Sequence, residues 1–149
     1  MIKKRVIKHD IHSLISDLKE ALYTDAEIIF AYIFGSYGIG KPTFLSDIDI
    51  ACYLLTNRDQ FTKKLALIEV ITSALKTDEV DLVFLNNAPI VLCYQVLKTG
   101  KLLFSKDERL RLNFIKNVYD FYCDAEPLRV SAEANLIKRI KENQIGIRQ

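Results

Sequence analysis

The sequence predicts an α+β domain in which a small mixed sheet is covered by helices, with further helices at the C-terminal end. Two apolar runs rich in β-branched and aromatic residues, one from Ile28 to Phe34 and one that begins at Asp47, have glycine and proline between them. This pattern is typical of two buried strands joined by a loop. The chain has 149 residues, 50% of them hydrophobic, which suffices for one domain with a sizeable core.

The first helix is predicted from Ile11 to about Tyr23. Its apolar residues recur at three-and-four spacing, and Asp10 is placed to cap its first turn. This is the pattern of an amphipathic helix that packs on a sheet. The first strand follows, from about Glu27 to Phe34.

A tight turn is expected at Gly35 and Ser36, where the first strand stops. Glycine lets the backbone turn sharply and lets a ligand approach the main chain. Ser36 offers a hydroxyl and an N–H group to phosphate oxygens. Residues 37–46 then return the chain to the second strand.

Asp47 and Asp49 point to one face of the second strand, while Ile48 and Ile50 point to the other, because side chains alternate along a strand. The two carboxylates then lie about 7 Å apart among apolar neighbours, where two negative charges are unfavourable without a cation. Oxygen ligands with no nearby Cys or His favour Mg²⁺ or Mn²⁺ over zinc. The alternative is a solvated pair of acids on an exposed strand, but the apolar residues of the other face favour the metal site.

A second helix is predicted from Arg58 to Leu75, with Asn57 or Thr56 as its cap. Its apolar face is expected to hold Phe61, Leu65, Ile68, Ile71 and Leu75. The third strand is predicted from Val80 to Leu85, with Asp81 near its beginning. Asp81 can lie beside the other two acids only if the third strand is a neighbour of the second; otherwise it is an acid at a strand entrance that faces water.

The chain then continues with a short helix and an edge strand. Pro89 can occupy the first position of a helix over Ile90 to Leu97, which stops at Gly100. A short strand from Lys101 to Phe104 is expected at the edge of the sheet.

Two helices are predicted after that strand. Residues 105–108 have the form of a capping box, which begins a helix that runs to about Cys123. Pro127 is expected to end this helix, and a final helix runs from Leu128 to about Lys141 before a frayed tail. Four aromatic residues of this region exceed what one buried helix face requires, and they form either core packing or a surface for a partner: Phe114, Tyr119, Phe121 and Tyr122.

Charge and cysteine content limit the function classes. The net charge is only +2 and the basic residues are scattered, so direct binding of nucleic acid is not expected. Cys52, Cys93 and Cys123 are odd in number, far apart and inside apolar segments, which predicts reduced core or near-core thiols. No apolar run reaches the length of a membrane span and no secretory segment is evident at the start, so a cytoplasmic protein is expected.

The arrangement Gly35-Ser36, ten residues, Asp47-x-Asp49 resembles the signature of the DNA polymerase beta-like nucleotidyltransferase superfamily, with Asp81 in the place of the third acid. The resemblance implies the catalytic fold of that superfamily and two Mg²⁺ ions held by the three aspartates. It also implies that Gly35 and Ser36 hold the β- and γ-phosphates of a nucleotide, and that Asp81 is the base on the acceptor side.

One part of the sequence departs from the superfamily pattern. Many relatives carry Ala-Arg-Gly just after the Gly-Ser pair, where this chain has Gly38, Ile39 and Gly40. The charged contact that the arginine usually offers to the nucleotide or acceptor is therefore missing. Lys41 is the candidate that could replace it in nucleotide binding.

Because the chain is small and ends in helices, it resembles in particular the minimal nucleotidyltransferases. This resemblance covers essentially the whole chain. Residues 1–105 would form the nucleotidyltransferase core, and residues 106–149 a helical extension of the same domain. The resemblance implies an antitoxin that transfers AMP from ATP to a tyrosine of a HEPN-domain RNase toxin, with which it forms a hetero-oligomer. Two alternatives remain, namely a small-molecule nucleotidyltransferase of the aminoglycoside-modifying kind and a non-catalytic protein that masks a toxin by contact alone.

Overall fold

A computed structural model describes residues 11–40, 47–56 and 58–143. The elements follow in the order α1 (Ile11–Tyr23), β1 (Ile28–Phe34), α2 (Gly35–Gly38), β2 (Ile48–Leu54), α3 (Gln60–Leu75), β3 (Val80–Phe84), α4 (Ile90–Thr99), β4 (Lys101–Ser105) and α5 (Glu108–Asn143). The sequence predictions for Asp10, Lys41, Asn57 and the end of the tail lie outside the described residues.

The four strands form one mixed sheet in the order β3-β2-β1-β4. β1 is antiparallel to both of its neighbours, and β2 is parallel to β3. A parallel pair needs a crossover connection, which α3 provides between β2 and β3. The third strand is thus a neighbour of the second, as the convergence of the acids requires, and β4 lies at the opposite edge as predicted.

Each face of the sheet carries its own hydrophobic core. One core joins α1 and α3 to the sheet through residues such as Leu18, Ile71 and Ile50. The other joins α4 and α5 to the opposite face through residues such as Cys93 and Val118. Every residue of β1 is buried, because this central strand is covered on both faces.

α3 differs from its prediction in its start and in its buried face. Asp59 is the cap, in a left-handed conformation with φ 42°, and its side chain accepts a hydrogen bond from the Thr62 backbone N–H at 3.3 Å. Leu67 is buried, whereas Leu65 is exposed, because residues two apart in a helix lie on nearly opposite sides. Phe61 is 74% exposed, so the prediction that Phe61 and Leu65 belong to the core is wrong.

α5 is one continuous helix of 36 residues, so the prediction of a break at Pro127 is wrong. A proline inside a helix removes one backbone hydrogen bond but does not always end the helix. The capping residue also differs from the prediction. The Asp107 side chain, rather than that of Ser105, accepts from the backbone N–H of Leu110 at 3.1 Å.

α4 follows its prediction closely, except that Pro89 is the N-cap and not the first helical residue. Gly100 caps its C-terminal end, where its N–H donates to the Val96 carbonyl at 2.7 Å. Within the described ranges, no helix is both long and apolar enough to cross a membrane.

The thiols and aromatic residues divide between core and surface. Cys52 and Cys93 are buried and unpaired as predicted, and burial raises the pKa of the Cys52 thiol to about 12. Cys123 is exposed, so its placement in or near the core is wrong.

Of the four aromatic residues, three make ring contacts, since Tyr119 also packs edge-to-face on Tyr94 with ring centroids 5.4 Å apart. Phe114 packs on Phe30 with ring centroids 5.6 Å apart, and Tyr122 stacks on Tyr94 at 3.7 Å. Tyr119 is 39% exposed and Phe121 is 64% exposed. Packing therefore involves three members of this group, of which Tyr119 is also partly exposed.

Candidate active site

Three aspartates approach one another at the end of the sheet where β2 and β3 begin. Asp49 and Asp81 are direct partners in the parallel register of β2 and β3, so their side chains leave the same face. Asp47 precedes β2 by one residue and lies two positions before Asp49, which places it on that face as well. The intervening Ile48 is fully buried in the core of the opposite face.

Burial and the neighbouring acids make the Asp49 carboxyl harder to ionise. Its pKa is raised from 3.8 to about 6, first by burial and then by the negative charges of Asp81 and Asp47. Like charges near a carboxylate disfavour its ionised form, and a cation would favour it. The site therefore combines carboxylate oxygen ligands with negative charges that act on one another.

Gly35 adjoins the Asp49 carboxylate directly. Phe34, the last residue of β1, pairs with Asp49 in the antiparallel register. A Cβ atom on Gly35 would overlap Oδ2 of Asp49 and lie 3.2 Å from its Cγ. Gly35 also has a φ of +68°, a backbone conformation that residues with a side chain rarely adopt. The backbone that carries the glycine-serine pair thus meets the acids without an intervening side chain.

The predicted turn at Gly35 and Ser36 is a single turn of helix, α2. The N–H of Ile39 donates to the Gly35 carbonyl at 3.2 Å. The first N–H groups of a helix have no partner within it and are available to an anion or to water. Gly35 and Ser36 supply these groups beside Asp49.

The residues after Ser36 explain part of the departure from the superfamily pattern. A Cβ on Gly38 would lie 2.5 Å from the Thr99 carbonyl oxygen and 2.9 Å from that of Ile33, so this position is closed to larger side chains without movement. Ile39, at the position where the superfamily resemblance predicts an arginine, is 53% exposed. Lys41 lies outside the described residues.

The donor set fits a magnesium ion in ligand type and charge. All candidate ligands are carboxylate oxygens, which Mg²⁺ prefers over nitrogen or sulfur. In the part of the chain that the structure describes, no three His, Cys, Asp or Glu side chains are close enough to hold an ion as they stand. The charges of Asp47 and Asp81 nevertheless act on Asp49, so the three acids share one electrostatic site.

A surface recess next to Asp81 was missed by sequence reasoning. It follows the outer edge of β3 and has a volume of about 280 Å³. Phe61 and Lys64 of α3 form one wall. Spacing alone does not reveal this recess, because the apolar residues of α3 surround much of the helix and the position of the sheet decides which of them are buried.

Comparison with known families gives one match over most of the chain. The model described as Polymerase beta, Nucleotidyltransferase matches residues 16–109. The chain is also 39% identical over 87 residues to the protein adenylyltransferase MntA of Shewanella oneidensis. That match covers 58% of this chain and 61% of the relative, so the chain spans about three fifths of that curated protein.

Solved structures show the same fold. An MNT antitoxin in complex with a tri-AMPylated HEPN toxin of Shewanella oneidensis is 27% identical, with a TM-score of 0.67 over 85% of this chain and 98% of that one. A toxin-antitoxin structure with AMP-PNP is 30% identical, with a TM-score of 0.70 over 83% of this chain and 98% of that one. The α+β fold predicted from the sequence is thereby confirmed.

Proposed function

The chain belongs to the polymerase beta nucleotidyltransferase family, and from this premise we propose that it transfers AMP from ATP to a tyrosine hydroxyl of a HEPN RNase toxin and acts as the antitoxin of that toxin. The observation that carries the proposal is the register of Asp49 with Asp81 beside the backbone of Gly35. It brings oxygen ligands for a metal and the N–H groups of Gly35 and Ser36 to one end of the sheet.

Asp47, Asp49 and Asp81 would hold two Mg²⁺ ions, which would neutralise the triphosphate and favour ionisation of the acceptor hydroxyl. Gly35 and Ser36 bind the β- and γ-phosphates through their N–H groups and the serine hydroxyl. Lys41 is proposed as a further contact to the nucleotide. These groups fix the triphosphate so that its α-phosphorus faces Asp81.

Asp81 serves the acceptor side of the reaction. The acceptor oxygen forms a bond to the α-phosphorus, and the bond from that phosphorus to the oxygen bridging it to the β-phosphate breaks. Pyrophosphate leaves with the electron pair, and the proton of the hydroxyl passes to the Asp81 carboxylate and then to water. The chain contributes mainly position and electrostatics, as is general in phosphoryl transfer.

The nature of the partner is supported by the similar structures, one of which contains an AMPylated HEPN toxin and another AMP-PNP. We propose that residues 1–105 carry the chemistry and that residues 106–149 are a helical extension of the same domain. The protein and its partner would form a hetero-oligomer. The free buried thiols Cys52 and Cys93 support a reducing compartment, for which we propose the cytoplasm.

The experiment is a mass measurement on the toxin encoded or expressed together with this chain. The purified pair is incubated with ATP and Mg²⁺, and intact-protein mass spectrometry is expected to show additions of whole AMP units to the toxin. Asp47→Asn is expected to stop the addition. Asp17→Asn, an exposed acid on α1, is the matched control and is expected to leave it unchanged.

Two results separate the proposal from its alternatives. No added mass on the toxin with the wild-type chain, ATP and Mg²⁺ would contradict AMP transfer. Neutralisation of the toxin that survives Asp49→Asn would instead support masking by contact alone.

A further inference from the structure

The outer edge of β3 forms the floor of an open recess that begins at Asp81. The recess has a volume of about 280 Å³ and runs from Asp81 along β3 to Asn87 and Ala88. Phe61 and Lys64 of α3 stand above it. Because β3 is the last strand of the sheet on this side, no strand among the described residues covers this edge.

Among the described residues, the backbone of this edge is open to another strand at Leu82, whereas the Phe84 carbonyl already accepts from the Asn87 N–H at 3.4 Å. The N–H of Ile48 donates to the Glu79 carbonyl at 2.9 Å, and the N–H of Leu85 donates to the Cys52 carbonyl at 2.9 Å. Since successive peptide groups of a strand point to opposite sides, the odd-numbered residues face β2 and Leu82 faces outward. Across residues 11–40, 47–56 and 58–143, no other group hydrogen bonds the backbone of Leu82.

A strand added at this edge would present one of its side chains to Asp81. Neighbouring strands lie about 4.8 Å apart, and residues opposite each other share a face of the sheet. Asp49 and Asp81 lie side by side across β2 and β3, and one residue of the added strand would lie next to Asp81 in the same line across the sheet. A hydroxyl on that residue would lie on the catalytic face, next to the carboxylate that the proposed function assigns to the acceptor.

We propose that the recess binds the acceptor segment of the partner protein as an extended strand that pairs with β3, with the acceptor residue opposite Asp81. The inference rests on the proposed function and names how its protein substrate is held. Addition of a strand to an exposed edge is a common mode of peptide recognition, in which backbone hydrogen bonds give affinity and side-chain pockets give specificity.

The walls of the recess define the chemistry of the segment. Residues on either side of the acceptor point to the opposite face, because side chains alternate along a strand. On that face lie Phe61, 74% exposed, and Lys64, which forms no ion pair with any other described residue. The segment is therefore expected to carry an apolar residue and an acidic residue that flank the acceptor.

Variants of α3 test the two walls separately. Phe61→Ala and Lys64→Glu are each expected to raise the KM for the partner protein about 10-fold, with the kcat and the KM for ATP within twofold of wild type. Leu65→Ala is the matched control, since Leu65 is 55% exposed on the same helix but does not line the recess. It is expected to behave as wild type, and circular dichroism of all three variants checks that they are folded.

Hydrogen exchange tests the backbone pairing directly. In a complex of the full chain with its partner and AMP-PNP, exchange of the Leu82 amide is expected to slow at least 10-fold, because a new hydrogen bond protects it. The amides of β4, at the other edge of the sheet, serve as the internal control and are expected not to change. Unchanged exchange at Leu82, or Phe61→Ala and Lys64→Glu variants that match Leu65→Ala in KM, would overturn the proposal.

Failure of this inference is distinguishable from failure of the proposed function. If the wild-type chain adds no AMP to the partner, the proposed function fails. If it adds AMP at a rate that neither Phe61→Ala nor Lys64→Glu alters, the function stands and the acceptor segment binds elsewhere.

Discussion

Replacement of Asp49 by asparagine is expected to abolish AMP transfer and, in the absence of metal, to stabilise the protein. The pKa of Asp49 is raised from 3.8 to about 6, by burial and by the charges of Asp81 and Asp47. A carboxyl with a raised folded-state pKa contributes stability that is complete below about pH 4 and is lost as pH rises through about 6. At pH 8 the ionised Asp49 therefore lowers the free energy of unfolding, and asparagine removes this cost.

The magnitude follows from the size of the shift and the exposure of the side chain. A shift of two pKa units corresponds to about 3 kcal/mol. Asp49 is only partly buried, so screening by solvent reduces the expected gain to about 1 kcal/mol. For a chain of this length, that gain raises Tm by about 2–4 °C.

Urea unfolding in EDTA measures the effect at pH 8 and at pH 4. The Asp49→Asn variant is expected to be more stable than wild type at pH 8, with a smaller difference at pH 4. Excess Mg²⁺ at pH 8 is expected to narrow the difference, because the ion stabilises the protein that retains the carboxylate. Asp17→Asn is the control, with a change within about 0.5 kcal/mol. An Asp49→Asn variant that is less stable than wild type at pH 8 in EDTA would refute the electrostatic account of the site.

Three further substitutions probe the surroundings of the site and the fold. Gly35→Ala is expected to lower the free energy of unfolding by about 1–2 kcal/mol, because the backbone φ at this position is +68°. It is also expected to weaken AMP-PNP binding in a calorimetric titration, because the new Cβ would displace the Asp49 carboxylate. Ile39→Arg adds a cation at an exposed position, and we expect a lower KM for ATP with stability unchanged within about 0.5 kcal/mol; an unchanged KM would show that this position does not meet the nucleotide. Arg111→Met is expected to lower the free energy of unfolding by about 1–2 kcal/mol in urea, since it removes the 3.0 Å hydrogen bond to the hydroxyl of Tyr32, a buried residue.

The strands and most helix limits follow from the sequence because each depends on local periodicity. α1 has the predicted bounds, Ile11–Tyr23, and β3 and β4 differ from theirs by one residue each. The face of α3 could not be read in the same way. Its apolar residues surround much of the helix, so burial is decided by where the sheet lies and not by spacing alone. The continuity of α5 through Pro127 likewise runs against a local rule, since the residue type alone does not determine whether a proline ends a helix.

The candidate site was predictable to the extent that it depends on alternation along one strand. Asp47 and Asp49 share a face for that reason, whereas the approach of Asp81 required the order of strands in the sheet. The contact between Gly35 and the Asp49 carboxylate depends on the antiparallel register of β1 and β2. The packing of both sheet faces and the connecting turn set such registers. The residue pattern of one strand holds no information about either of them.

The open edge of β3 is best understood together with the acids that lie beside it. An uncovered apolar edge is an aggregation hazard, and proteins usually protect such edges with lysine, proline or a covering segment. The five residues of β3, VDLVF, include neither lysine nor proline, whereas β4 at the other edge begins with Lys101. The only charge within β3 is Asp81, and it points to the catalytic face. A short strand limits the hazard, and an edge that must pair with a substrate segment cannot be blocked. Under the proposed strand pairing, Asp81 would thus protect the edge in the free protein and receive the acceptor when the edge is filled.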